Sequence, residues 1–331
     1  MFEKKRPENV ERGPSMKSRL IIAFVFLISC FLLVFGLMRR EHISPATAES
    51  RIDSPLQAIN KLKLPLKKDR DYRFIAFGDW GAGTPFQKDI AAQVTKLYDR
   101  DPYDAVLMLG DNIYPTGDIK KFGKVYFTEM YPVLIQNGVN FIVALGNHDR
   151  HDSHELDQLA FFRMPGFYYQ VSKPHVDFFV LETNLFAKDQ VQQKWLEKAL
   201  KDSKADWKIV MGHHPIYSSG EHGMNAGLKK TLEPILVKYK ADMYLAGHDH
   251  EYERFKPIQG VQHIVSGGGG AYLRNFNKPL PASMVRLKAH HFLNFNLTEA
   301  ALKMQVIDKT GKTIDHAVWT KAGQAQKLVK G

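Results

Sequence analysis

The sequence predicts an α/β fold with a β-rich C-terminal end, and three observations predict it. Short apolar runs alternate with longer stretches of helical periodicity between residues 73 and 266. Five of those runs stop at a glycine followed by a residue able to bind a ligand. After residue 290 the helical pattern disappears, and Phe292–Asn296, Leu302–Ile307 and Thr313–Thr320 read as antiparallel strands. No internal repeat interrupts this order.

The first strand is Arg73–Phe77, followed by the turn Gly78-Asp79-Trp80-Gly81. Thr84 and Pro85 have the character of an N-cap and first helical residue, opening a helix to about Arg100. Gly78 to Thr84 nearly spells a phosphate-binding P-loop, but no lysine precedes Thr84, which excludes nucleotide binding by that route. Ala105–Leu109 is a continuous apolar run, as a buried parallel strand requires, and it ends in Gly110-Asp111-Asn112-Ile113-Tyr114. A helical stretch then runs to about Tyr131. The strand Asn140–Leu145 follows and stops at Gly146-Asn147-His148-Asp149.

Residues 150–166 read as a loop, Phe167–Ser172 and Asp177–Glu182 as strands, and Gln190–Leu200 as a helix. Trp207–Met211 leads into Gly212-His213-His214-Pro215. A helix from about Gly227 to Tyr239 precedes Met243–Ala246, which ends in Gly247-His248-Asp249-His250. Val261–Ser266 runs into Gly267–Gly270, a flexible turn or a close approach to phosphate. The last two strands form a hairpin over Lys309–Lys312. Asn296-Leu297-Thr298 matches a glycosylation sequon inside a strand, where it means little.

Composition narrows the function. The chain has 331 residues, 44% of them hydrophobic, and a net charge of +11, which favours anionic partners such as phosphate esters. No block of like charge reads as a nucleic-acid tail, and no nucleic-acid partner is expected. The single cysteine, Cys30, lies in the N-terminal apolar segment, so the globular part has no disulfide, thiol nucleophile or cysteine metal cluster.

Residues 1–19 are basic and polar, and residues 20–38 are apolar over about the span a membrane helix needs. Basic residues are denser before that span, which predicts a cytosolic N-terminus, a single-pass anchor and the large domain outside. Residues 39–70 then read as a tether, 71–321 as the folded domain and 322–331 as a tail. Two alternatives stay open. A signal peptidase could cut near Ala46-Thr47-Ala48 and release a secreted or periplasmic protein, or Leu27-Ile28-Ser29-Cys30 could act as a lipobox.

Parallel strands deliver their ligand sites at their carboxyl ends. The strand-end clusters gather Asp79, Asp111, Tyr114, Asn147, His213, His248 and His250. Oxygen donors suit hard cations and imidazole suits zinc or iron, so the mixed set suits two adjacent first-row metals. Asp111, at the end of the central strand, can serve both cations with one carboxylate oxygen each. Such a pair stabilises the attacking and leaving oxygens of a displacement at phosphorus.

Gly78-Asp79-Trp80-Gly81, Gly110-Asp111-Asn112-Ile113-Tyr114, Gly146-Asn147-His148-Asp149, Val210-Met211-Gly212-His213 and Gly247-His248-Asp249-His250 resemble the five ordered motifs of the calcineurin-like metallophosphoesterases. Tyr114 resembles the purple acid phosphatases specifically, and Glu221-His222-Gly223 with the compact length resembles their tartrate-resistant, mammalian-type branch. The resemblance spans about residues 72–320 and leaves out the N-terminal segment.

That resemblance implies a four-layer α/β/β/α sandwich of two mixed sheets with the metals at the joined sheet edges. It implies Fe(III) on Asp79, Tyr114 and His250, a divalent iron, zinc or manganese on Asn147, His213 and His248, and Asp111 as the bridge. The Tyr114 phenolate implies a purple charge-transfer band. His148 and His222 are the implied catalytic residues, contacting phosphate or protonating the leaving oxygen. Asn147 and His214 are implied substrate contacts, His214 alternatively a support for His213; Asp249 is read as supporting or structural. The implied reaction is hydrolysis of phosphate monoesters, on small molecules or phosphoprotein, by a metal-bound hydroxide. Two alternatives accompany it: a phosphodiesterase with two divalent metals and a packing Tyr114, and a non-catalytic membrane-tethered binding protein.

Overall fold

The computed structural model describes residues 71–321. The anchor, tether and tail expected at 1–70 and 322–331 lie outside the described residues. Among the described residues no helix is long and apolar enough to cross a membrane. Residues 1–70 and 322–331 also hold nine of the eleven net positive charges, so the described domain is nearly neutral. The preference for anions expected from charge therefore attaches to the flanking segments, and any such preference of the domain must come from local geometry.

Two mixed sheets carry the fold. The first has six strands in the order β13-β12-β11-β1-β2-β3: β1 Tyr72–Phe77, β2 Ala105–Leu109, β3 Asn140–Ala144, β11 His291–Leu297, β12 Ala301–Asp308 and β13 Thr313–Thr320. The second has seven in the order β10-β8-β9-β7-β6-β5-β4: β4 Tyr169–Lys173, β5 Val176–Val180, β6 Trp207–Met211, β7 Met243–Ala246, β8 Tyr252–Phe255, β9 Gln262–Ser266 and β10 Ser283–Leu287. β1, β2 and β3 pair in parallel, as do β5, β6, β7 and β9. The five strands that precede the motifs thus lie in the parallel cores of the two sheets. The sheets meet face to face, with Phe74 of β1 edge-on to Phe178 of β5 at 5.1 Å and stacked on Phe295 of β11 at 4.6 Å. Such ring pairs contribute about 0.5–1.5 kcal/mol each beyond simple burial.

Helices cover the outer faces. α1, Pro85–Arg100, begins with Thr84 accepting the Gln87 N–H at 3.2 Å, and it buries Ile90, Val94 and Leu97. α2 is Ile119–Gly123, α3 Pro132–Gln136, α4 Glu155–Phe162, α5 Gln190–Asp202, α6 Ala226–Thr231 and α7 Glu233–Lys238. Leu196 and Leu200 of α5 join Leu228, Ile235 and Leu236 in a second core cluster on the outer side of the seven-stranded sheet.

Three expectations differ from this. The helix expected to end near Tyr131 is broken into α2, a π-helical turn over Lys124–Thr128, and α3. Pro132 explains the last break, because the residue before a proline avoids helical geometry. The helix over 227–239 splits where Pro234 opens α7. The expected loop 150–166 contains α4, which buries Gln158, Phe161 and Phe162 against the core. β8 and β10 were not expected at all. They are short, and β8 follows directly on a ligand motif that reads as a turn.

Candidate metal centre

Each motif begins where a parallel strand stops, and the backbone there is bent to aim side chains at one point. Asp79, Asp111 and His248 all have left-handed backbone, with φ of 57°, 51° and 72°. Non-glycine residues adopt that region at a cost of about 1–3 kcal/mol, so three instances at one place mark a site the surrounding fold enforces. Gly146 is required for another reason. A Cβ there would collide with the carboxylate and the backbone nitrogen of Asp111, its Cγ lying only 2.8 Å away.

The seven expected ligands come together as two clusters. In one, Tyr114 Oη lies 3.1 Å from Asp79 Oδ1, 2.8 Å from Asp111 Oδ2 and 3.1 Å from His250 Nε2. His250 Nε2 is 3.2 Å from Asp79 Oδ1. In the other, His213 Nε2 lies 3.1 Å from Asn147 Oδ1, 3.2 Å from His248 Nδ1 and 3.4 Å from Asp111 Oδ2. Donors bonded at about 2.0–2.2 Å to one first-row ion stand roughly 3.0–3.5 Å apart. The observed spacings match that, and all the atoms are oxygen or imidazole nitrogen.

One detail differs from expectation. Asp111 does not present one oxygen to each cluster. Its Oδ2 faces both, while Oδ1 accepts the backbone N–H of His148 at 2.9 Å. A metal pair sharing Asp111 would therefore share its Oδ2, because Oδ1 is already held by the backbone.

The imidazoles are fixed from behind. His213 Nδ1 donates to the carbonyl of Leu109 at 2.9 Å, and His250 Nδ1 to that of Tyr272 at 2.8 Å. Each bond settles the tautomer and leaves Nε2 as a lone pair aimed into the cluster. Asp79 Oδ2 accepts the backbone N–H of His248 at 2.8 Å, which ties the first motif to the last. Asp149 is wholly buried and accepts from the backbones of Gly146, Asn112 and Ile113, clamping the second motif to the third.

The electrostatics call for cations. Burial disfavours a charged His213, yet Asp111 and Asp79 outweigh it and push the imidazole up to about 10. Burial and the same two carboxylates drive the Tyr114 phenol well above its ordinary range. Two buried carboxylates beside a phenol and three imidazoles form a set that positive ions would stabilise, so the residues present fit a pair of metals. Sets able to hold an ion include Asp79 with Asp111 and His213, and His213 with His214 and His248.

The remaining expected residues surround this pair. His148 packs its ring on Tyr114 at 4.4 Å and donates Nδ1–H to the carbonyl of Pro115 at 2.7 Å. His214 hydrogen-bonds Thr183 Oγ1 through Nδ1 at 2.9 Å, with its ring 4.4 Å from that of His248. His222 stacks on His248 at 4.0 Å, and its Nδ1 donates to Asp249 Oδ1 at 2.8 Å. Its other nitrogen meets Arg274, whose Nη1 lies 3.2 Å away. Arg274 was not singled out in the sequence. It follows the glycine run by a few residues, and nothing in Tyr272-Leu273-Arg274 marks it.

The chain is similar to known proteins. The family model for calcineurin-like phosphoesterases matches residues 72–252. Purple acid phosphatase 7 of Arabidopsis thaliana is 27% identical over 309 residues, covering 82% of this chain and 93% of that protein. Tartrate-resistant acid phosphatase type 5 of Homo sapiens is 32% identical over 241 residues, 60% of this chain and 72% of that protein. The purple acid phosphatase PPD1 from yellow lupin seeds has the same fold, with a TM-score of 0.68 at 21% identity over 75% of this chain and 53% of that longer one. With motifs, fold and relatives in agreement, the chain belongs to the calcineurin-like phosphoesterase family, among the phosphoesterase enzymes of the purple acid phosphatase group.

Proposed function

We propose that the domain is a binuclear metal-dependent acid phosphatase that hydrolyses phosphate monoesters. The observation that carries this is the single oxygen of Asp111, 2.8 Å from Tyr114 Oη in one donor cluster and 3.4 Å from His213 Nε2 in the other. Asp79, Tyr114 and His250 would hold Fe(III), for which phenolate and carboxylate are suitably hard donors. Asn147, His213 and His248 would hold a divalent iron, zinc or manganese. Such a pair supplies positive charge to the phosphoryl oxygens and makes water nucleophilic at mild pH.

The chain's own groups do the rest. His148 is held by Tyr114 and by the Pro115 carbonyl, which takes its Nδ1–H, so Nε2 is the nitrogen that would protonate the leaving oxygen. Asn147 turns Oδ1 toward His213, so its amide NH₂ can donate to a phosphoryl oxygen. His214 lines the wall beside His248. His222 faces the site from the other side, but its Nε2 meets Arg274, so the leaving-group proton is assigned to His148. Residues 20–38 would anchor this enzyme to a membrane, by length and apolarity.

An intact donor set speaks for catalysis over a purely binding role. The test is steady-state hydrolysis of p-nitrophenyl phosphate and bis(p-nitrophenyl) phosphate by metal-loaded protein, before and after chelation. Faster monoester turnover, lost with the metals, is expected. Hydrolysis of the diester alone, or activity indifferent to chelation, would overturn the proposal.

A further inference from the structure

Arg274 stands at the mouth of the metal centre, against His250 of one cluster and against His222, which stacks on His248 of the other. Its backbone N–H donates to the carbonyl of His250 at 3.2 Å. Its Nε lies 3.4 Å from His250 Nδ1, but that nitrogen already donates to Tyr272, so it cannot also accept. Nη1 donates to His222 Nε2 at 3.2 Å. Its ion-pair partner, Glu221, is 3.7 Å away and 60% exposed. An ion pair of that kind contributes little and does not neutralise the guanidinium.

Asp249 sets this orientation. Its Oδ1 accepts from both the backbone N–H of His222 at 3.0 Å and the ring Nδ1 at 2.8 Å, and its Oδ2 accepts the hydroxyl of Ser218. With Nδ1 as the donor, His222 Nε2 can only accept, and Arg274 is the donor it meets. A guanidinium stays charged at every working pH. Beside candidate ligand His250 and beside His222, which stacks on candidate ligand His248, it would be repelled by bound cations unless an anion lay between.

Resting on the phosphatase reading above, we propose that Arg274 binds the phosphate group of the substrate and favours monoesters over diesters, with Asp249 and His222 as its positioning residues. A monoester phosphate carries a second negative charge above a pKa near 6, and a diester has none to add. A charge-assisted hydrogen bond to that extra anionic oxygen strengthens monoester and product binding while leaving diester binding almost untouched.

The experiment uses metal-loaded full chain and the variants Arg274→Gln and Arg274→Lys, each first shown to hold wild-type metal content. Calorimetry measures the Kd for inorganic phosphate, and kinetics measure KM and kcat for p-nitrophenyl phosphate and bis(p-nitrophenyl) phosphate. Arg274→Gln is expected to weaken phosphate binding and raise the monoester KM by about tenfold to hundredfold, the worth of one charge-assisted hydrogen bond. The diester KM stays within about twofold on the same basis, and Arg274→Lys restores part of the loss. Unchanged phosphate affinity, or equal losses on both esters, overturns the role given to Arg274. Wild-type protein that neither binds phosphate nor hydrolyses either ester overturns the phosphatase reading itself, and this inference with it.

Discussion

Replacing Gly146 by alanine tests whether the bridging carboxylate must sit where it does. The added methyl carbon would lie 2.8 Å from Asp111 Cγ and closer still to Asp111 Oδ1 and backbone N. Ordinary carbon contacts begin near 3.5 Å, so Cγ alone has to move by roughly 0.7 Å. Neither side can yield easily. Gly146 donates its N–H to Asp149 at 2.7 Å, and Asp111 Oδ1 is held by His148 N–H. Overpacking of this kind costs about 1–3 kcal/mol, equivalent to a fall in Tm on the order of 5 °C for a domain this size. The effect on the site is larger in consequence. Ligand atoms have to be placed within about 0.5 Å, and disturbing the shell behind them costs roughly tenfold to hundredfold in metal affinity. The assay is elemental analysis after dialysis, with turnover and thermal melting in parallel. Gly166→Ala is the control, since the nearest atom to its new methyl lies at 3.6 Å. A Gly146→Ala protein that kept wild-type metal content and turnover would refute the steric reasoning.

Other substitutions test separate parts. If Tyr114 ligates ferric iron, purified protein absorbs in the visible and Tyr114→Phe loses that band with its near-ultraviolet circular dichroism intact; an unchanged spectrum would remove Tyr114 from the iron. His148→Ala is expected to lower kcat by about 10²–10⁴ while metal content stays at the wild-type level; undiminished turnover would deny it the proton transfer. His263 is buried against Tyr217 and Tyr244, neither ring nitrogen has a partner, and burial pushes it down to about 3. The unfolded chain protonates it near 6.5, so its contribution is complete above that pH and is lost as pH falls from 6.5 toward 3. At pH 4.5 the loss is about 3 kcal/mol, so His263→Phe should stabilise the domain by about that much at pH 4.5 relative to its effect at pH 7.5. Denaturant unfolding at both values measures it, and a pH-independent difference would contradict it.

The candidate metal ligands were legible because each motif follows a strand whose apolar run stops abruptly. β2 is Ala-Val-Leu-Met-Leu, buried throughout, and Asp111 comes two residues after its end. Parallel strands in register carry such ends to one edge, so sequence order alone gathered Asp79, Asp111, Tyr114, Asn147, His213, His248 and His250. What the sequence could not convey was which atoms face inward. The shared Oδ2 of Asp111 depends on a backbone N–H from His148, and the ring orientations of His213 and His250 depend on the carbonyls of Leu109 and Tyr272. Main-chain groups carry no residue identity to read. Arg274 was invisible for a related reason: it reaches the site through an irregular segment after Gly267–Gly270, where neither periodicity nor a strand end points at it. α4 was missed because one face of an eight-residue helix looks like a loop with scattered apolar residues.

The most direct test is anomalous diffraction at metal absorption edges from crystals of the purified domain, with metal content measured on the same sample. Two cations per chain about 3.5–4 Å apart are expected, one bonded to Asp79, Tyr114 and His250, the other to Asn147, His213 and His248, with a single oxygen of Asp111 between them. A lone ion, or a pair bound away from Asp111, would contradict the shared centre.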